Sequence, residues 1–288
     1  AITHTSVPSP DTGWRCREFL ESNNKTQLTI PSKMNGIKIL LTLIILSSGF
    51  NLYGQNSVEP GQDRKKQSLN QQKLSTITPV PSKLKKFMPS RHNQKLEEAK
   101  SGDFDLLMIG DSITHSWDAQ KDFKKIFQHI RVLNLGFAGD RTQNVLWRIQ
   151  NGALENVSPK VVTMMIGTNH LHNERKNHQP DETADIVLGI QEVIKEIQTR
   201  LPDSKIILFS VFPRKDPTEY GRVKALNKKL PKLADDRQIF HEDINDVFLN
   251  QSGQISNNLY SRDGLHLNNQ GYAVWGKVLL PILKKYGL

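Results

Sequence analysis

Four short segments carry residue types whose chemistry can combine. Gly110-Asp111-Ser112 follows an apolar run. There a serine hydroxyl can project from a crevice, while N–H groups at a following helix start can face an anion; Ser112 would equally serve as a helix N-cap. In the second segment, from Gly136 to Thr142, the backbone N–H of Gly139 can approach a ligand closely, or the glycine can simply shape a loop. In Gly167-Thr168-Asn169, the Asn169 carboxamide can donate a hydrogen bond into the same crevice or close an Asx turn. The fourth segment is Asp263-Gly264-Leu265-His266. Its aspartate can orient the imidazole through Nδ1, which leaves Nε2 to act as a base toward a serine. Standing alone, an Asp-x-x-His pattern is more often a surface turn.

The elements that would position these residues alternate regularly. Apolar runs at 105–109, 131–135, 161–166 and 205–211 suit buried strands of a parallel sheet. Amphipathic stretches at 123–130, 142–151, 183–200, 221–235 and 270–286 separate or follow them. In the 183–200 stretch, Ile186, Val187, Ile190, Val193, Ile194 and Ile197 recur with the spacing of one helix face. The class expected is therefore α/β, a parallel sheet covered on both faces. Ligand sites of such sheets lie beyond the carboxyl ends of the strands, and the first three segments follow apolar runs.

Taken in order, Ser112, Gly139, Asn169 and the Asp263/His266 pair resemble the four blocks of the SGNH hydrolase superfamily, also called the GDSL lipase and esterase family. The resemblance covers roughly residues 84–288 and points toward the platelet-activating-factor acetylhydrolase catalytic-subunit branch. It rests on Asn134-Leu-Gly-Phe-Ala-Gly139-Asp-Arg-Thr-Gln-Asn-Val-Leu-Trp-Arg148 with Asn151-Gly152 after it, on Phe212-Pro213-Arg214, and on the stretch from His266 to Gly271-Tyr272. It implies a three-layer α/β/α flavodoxin-like fold with a central parallel sheet of about five strands. It further implies Ser112 as nucleophile, His266 as general base and then acid, and Asp263 as the group that holds the imidazole tautomer. The oxyanion hole would comprise the N–H groups of Ser112 and Gly139 and the side-chain amide of Asn169. The activity implied is hydrolysis of short-chain esters, acetyl above all, through an acyl-enzyme and without a cofactor. The partners implied are a small-molecule or glycan ester and a second copy of the chain. A secreted enzyme with this domain would meet polysaccharides and glycans, so acetylated carbohydrate is the leading alcohol class expected; a lysophospholipid or acetylated lipid is the alternative.

Where the family often reads Gly-Thr-Asn-Asn, this chain continues into His170-Leu171-His172. His170, His172 and His178 have no acidic or cysteine partner at a recognisable ligand spacing, so no metal site is expected. His170 is expected at the crevice rim, lining the acyl or alcohol pocket, and Phe212 is expected to contact substrate. A non-catalytic carbohydrate-binding protein on this fold would be expected to lack Ser112, His266 or Asn169, and all three are present. A phosphate-binding loop would need a Gly-Lys-Ser/Thr ending, which the segment after the first apolar run does not have.

The remaining sequence is organised differently. Met34-Asn-Gly-Ile-Lys38, an apolar stretch from Ile39 to Leu46 and the small residues before Gln55 have the three parts of a secretory signal peptide. That stretch is too short to span a bilayer. The division expected is an upstream extension at 1–33, a signal peptide at 34–54, a flexible linker at 55–82 and the hydrolase domain at 83–288, in a secreted or periplasmic protein. The single cysteine, Cys16, falls in the extension, so no internal disulfide forms. The net charge of +10 is spread thinly: residues 83–288 hold 30 basic and 24 acidic side chains of the chain's 39 and 29. With no aromatic residues interleaved in a basic stripe, nucleic acid is not an expected partner.

Overall fold

The computed structural model describes residues 75–82, 88–171 and 180–288. The expected signal peptide, the 1–33 extension, most of the expected linker, His172 and His178 lie outside the described residues.

Five short strands form the centre: β1 (Leu106–Gly110), β2 (Val132–Gly136), β3 (Val161–Met165), β4 (Lys205–Phe209) and β5 (Ile239–Glu242). All pair in parallel in the order β2-β1-β3-β4-β5, with Ile109 opposite Leu135 on one side and Met164 on the other. Every residue of β1 and β3 is buried, because both faces of the sheet are covered. Side chains alternate between two cores, as the strand repeat of two dictates. Leu107 and Ile109 join Ile186, Ile190 and Val193 in one; Leu106 and Met108 join Trp117, Trp275 and Leu279 in the other.

Helices supply the outer layers. On the first face lie α1 (Met88–Ala99), α4 (Thr142–Arg148), α5 (Thr183–Arg200) and α6 (Pro217–Asn227). On the second lie α2 (Ser112–His115), α3 (Phe123–Ile126) and α7 (Asn269–Tyr286). The stripe expected on α5 is the one that packs, with Ile186, Ile190, Val193 and Ile197 all fully buried. Each such side chain contributes about 1.5–3 kcal/mol by leaving water.

The chain passes from β1 to β2 on one side of the sheet and returns to β3 on the other side of β1. That reversal opens a crevice at the carboxyl ends of β1 and β3. Ser112 and Asn169 follow those two strands directly.

The sheet has the five strands expected, one of them unannounced by an apolar run, and two other expectations are corrected. The strand β5 is a four-residue edge whose Ile-Phe-His-Glu sequence mixes apolar and polar residues, and only Ile239 is buried, so no apolar run announces it. The helix expected at 221–235 is shifted: Asp216 caps it through the Glu219 N–H (2.8 Å), Pro217 opens it, and it stops at Asn227 before a 3₁₀ turn containing Pro231. Residues 75–82, placed in a flexible linker, are docked. Thr76 is fully buried and its carbonyl accepts the Thr142 hydroxyl (2.7 Å), while Val80 exchanges bonds with Gln143 and Asn144. These backbone bonds to the start of α4 do not depend on apolar content, which is what the composition of the segment lacked.

Candidate active site

The serine sits on a very short helix pressed against the strand ends. A Cβ at Gly110 would collide with Thr114 and the Met165 carbonyl, and one at Gly136 would collide with the backbone of Thr114 and His115. Only glycine at the carboxyl ends of both β1 and β2 lets α2 settle there. Three side chains then hold its backbone. The Asp111 carboxylate accepts the Ile113 N–H (3.0 Å), the Tyr272 hydroxyl donates to the Ile113 carbonyl (2.7 Å), and the Asn134 amide donates to the Thr114 carbonyl (2.7 Å). The Asn134 oxygen also accepts the Gly136 N–H (2.8 Å), so this buried polar residue in the middle of β2 is satisfied at both ends.

From α2, Ser112 Oγ lies 2.8 Å from His266 Nε2, although 154 residues separate them in sequence. On the far side of the ring, His266 Nδ1 lies 2.6 Å from Asp263 Oδ2. The other Asp263 oxygen accepts the N–H groups of Leu265 and His266, each at 3.0 Å. Gly264, at φ +63°, makes that tight turn possible. Burial pushes the Asp263 carboxyl up, but the His266 side chain and the two N–H donors outweigh it and hold it below the usual range. The ring tautomer follows: with an ionised acceptor at Nδ1, the proton sits there and Nε2 is free to take one from the serine.

The loop after β2 brings Gly139, at φ +81°. Its N–H has no internal acceptor among the described residues. Asn169, following β3, reaches the same loop by donating from Nδ2 to the Asp140 carbonyl (2.9 Å), which leaves its second amide hydrogen available. Beneath that loop Asp140 is fully buried and doubly bonded to Arg148, at 2.5 and 3.0 Å, and the guanidinium lies 3.6 Å from the centre of the Phe137 ring. Burial lifts the Asp140 carboxyl to about 6 against the opposing pull of Arg148. The loop is also held from the α2 side, where His115 Nδ1 accepts the Ala138 N–H (3.2 Å). Burial, with Arg91 next in weight, lowers the His115 pKa to about 4, so that acceptor is unprotonated at neutral pH.

Two expected substrate contacts are corrected. His170 is not at the rim: it is fully buried, with Nδ1 2.8 Å from Asp181 and Nε2 accepting the Thr142 N–H at 3.0 Å. It pins the start of α4 to the loop that carries Asn169. Phe212 is 1% exposed and packs on Phe248 and Trp275 at ring separations of 4.5 and 4.9 Å, so it belongs to the second core. Sequence reasoning missed the supports Asp111, His115, Asn134 and Arg148. A polar Asn134 inside an apolar run was the one available sign that a buried partner was needed.

The arrangement can carry out nucleophilic acyl transfer. Comparison with known proteins agrees with that chemistry: residues 108–274 match the model of the GDSL-like lipase/acylhydrolase family. The chain belongs to this family. It is 34% identical over 200 residues to human platelet-activating factor acetylhydrolase IB subunit alpha2, which spans 67% of this chain and 80% of that protein. Among solved structures, a GDSL-like lipase from Bacteroides thetaiotaomicron superposes with a TM-score of 0.56 at 18% identity, covering 68% of this chain and 98% of that one. An acetyl xylan esterase superposes at 0.51 with 19% identity, covering 62% and 98%. This family member is an ester-hydrolysing enzyme with the SGNH-type α/β fold. Among the described residues no helix is long and apolar enough to cross a membrane.

Proposed function

We propose that this chain is a secreted serine esterase that removes short acyl groups, acetyl above all, from acetylated carbohydrate. The observation that carries the reading is the unbroken line from Asp263 through His266 to Ser112, at 2.6 and 2.8 Å. In this reading Ser112 Oγ attacks the ester carbonyl carbon as its proton passes to His266 Nε2. The oxyanion that forms faces the N–H groups of Ser112 and Gly139 and the Asn169 amide; losing one such donor costs about 10²- to 10³-fold in kcat. Collapse breaks the carbon–oxygen bond, and the departing alcohol takes the proton from His266. Water, deprotonated by the same ring, then releases the acid and restores Ser112.

Support for acetyl as the acyl group comes from the name of the human relative, an acetylhydrolase. Support for a carbohydrate alcohol comes from the signal-like segment at Met34, which would deliver the enzyme to where acetylated polysaccharides occur. The same relative's name favours a second reading, a platelet-activating-factor-like lipid ester. Acetate release from acetylated xylan, sialic acid, peptidoglycan and platelet-activating factor separates the two. Turnover of p-nitrophenyl acetate, compared between parent and Ser112→Ala, tests the mechanism itself, and equal rates would overturn it. A fall in kcat/KM from acetyl to octanoyl esters is expected, and the reverse trend would point to a lipase. Sedimentation tests the homodimer implied by the branch it resembles.

A further inference from the structure

Beside the turn that carries Asp263 and His266 lies a cleft of about 390 Å³, lined by Arg214, Lys215, Tyr220, Lys224, Gln254 and Asn257 among others. Three of its lining residues are cations, and no carboxylate lines it among the described residues. Two walls join it to the reacting groups. The Lys215 N–H donates to the Gly264 carbonyl (2.8 Å), and the Lys215 side chain packs over Gly264, between Asp263 and His266. Arg214, only 3% exposed, donates to the Thr168 carbonyl (3.3 Å), one residue before Asn169, and its charge is felt at Asp111, one residue before Ser112.

The charges in the cleft are not equivalent. Glu219 pairs with Arg214 at 3.1 Å, which balances the floor. Asp216, between two lining residues in sequence but not itself in the lining, is exposed and accepts the Glu219 N–H as the helix cap. Lys215 and Lys224 are exposed, and the ion pairs of the described residues include neither. Lys224 stands 4.8 Å from the centre of the Tyr220 ring. Burial and the Asp243 and Asp246 carboxylates raise the Tyr220 pKa, which keeps its hydroxyl a donor. The result is a concave wall of two ammonium groups outside any ion pair of the described residues, a phenol and two amide side chains, opening beside the Asp263–His266 turn. Such a wall concentrates anions near the site.

We propose that this cleft receives the alcohol side of the ester and that this alcohol carries an anionic group, a carboxylate or a phosphate, held by Lys215 and Lys224. The inference rests on the serine-esterase reading and names its substrate class. Tyr220, Gln254 and Asn257 supply the hydrogen bonds that a hydroxylated neighbour of the anion would take. The expected preference is moderate, because both ammonium groups are in contact with water and salt screens them.

The test uses the full chain and pairs of acetyl esters that differ only in charge: O-acetyl glucuronic acid against O-acetyl glucose, and acetyl glycerol phosphate against acetyl glycerol. The quantity read is the ratio of kcat/KM for the charged ester to that for its neutral partner. A ratio of about tenfold at low salt is expected, carried mostly by KM, falling toward one in 0.5 M salt and in the double variant Lys215→Gln/Lys224→Gln. The pair with the larger ratio identifies carboxylate or phosphate as the anion. A ratio near one in the parent, or a ratio that the double variant leaves unchanged, overturns the proposal. Equilibrium binding of glucuronate and glycerol phosphate provides a readout independent of turnover. Anion binding that the double variant weakens, without ester hydrolysis, would sink the esterase reading and keep the cleft. Hydrolysis without anion binding would do the opposite, and neither would sink both.

Discussion

The two halves of the catalytic constellation are built in opposite ways. Ser112 is 9% exposed on a helix capped locally by Asp111 and clamped by Asn134 and Tyr272 from distant parts of the chain. His266 and Asp263 have side chains 32% and 49% exposed, and the turn they share is closed mainly by bonds among residues 261–266, with the Lys215 N–H on the Gly264 carbonyl as a tie from farther away. Ser112 and the Gly139 loop are thus held largely by the tertiary core, whereas the Asp263–His266 pair is largely a local motif set beside them. In the proposed mechanism the serine and the oxyanion donors must meet a developing charge with little freedom. The imidazole has to accept and return a proton, which a turn in contact with water allows.

Four experiments would break or sharpen this contrast. Ser112→Ala should lower kcat on p-nitrophenyl acetate by about 10⁵- to 10⁶-fold with little change in the urea midpoint. A large loss of stability would mean that the hydroxyl also supports α2. Asp263→Asn should cost about 10²- to 10³-fold in kcat, less than a buried triad aspartate, because water can partly replace an exposed partner. Its stability should stay within about 0.5 kcal/mol of the parent, and a loss as large as that of a core variant would show that the turn is not local.

The clamped side predicts a pH effect. Burial raises the Asp111 carboxyl from 3.8 to about 7, with the Ile113 N–H and His266 opposing it. Since the folded value lies above the unfolded one, this contribution to stability is fully present below about pH 4 and is lost as pH rises through about 7. Asp111→Asn keeps an acceptor for the Ile113 N–H and removes the ionisation. It should be about 2–4 kcal/mol more stable than the parent at pH 8 and nearly equal to it at pH 4, by denaturation at the two pH values. Equal stability at pH 8 would mean that the carboxylate is solvated in the native state. The smallest effect expected is that of Tyr272→Phe, which strands the Ile113 carbonyl and should cost about 1–2 kcal/mol, together with a fall of a few fold in kcat as α2 loosens. A variant with parent-like stability and kcat would show that α2 is held without it.

Much of the fold could be read along the chain. The strands at β1, β2 and β3 coincide with apolar runs, because a strand buried on both faces needs one. The α5 stripe was legible because six isoleucines and valines at helical spacing leave little alternative. The polar edge β5 and the docking of residues 75–82 were not, since each depends on pairing with distant backbone rather than on local composition, whereas the start of α6 is a local Asp216–Pro217 cap that the apolar pattern alone overlooks. His170 and Phe212 show the same limit inside the site. A histidine beside Asn169 reads as a rim residue until Asp181 and Thr142 are seen to take both ring nitrogens, and Phe212 reads as a contact until Phe248 and Trp275 enclose it.

By itself the amino-acid sequence determined the order of the four blocks and the residue types able to act in them, because nucleophile, base and amide donor are matters of chemical identity. It also determined the Asp263–His266 turn, whose partners lie within three residues of one another. Only the tertiary structure decided that Ser112 stands within hydrogen-bond reach of an imidazole 154 residues away, that Asp140 and Arg148 form a buried support under the Gly139 loop, and that the cationic cleft opens beside the Asp263–His266 turn. Those relations depend on which strand ends the sheet brings together, and parallel pairing across crossover helices is a property of the whole packed core.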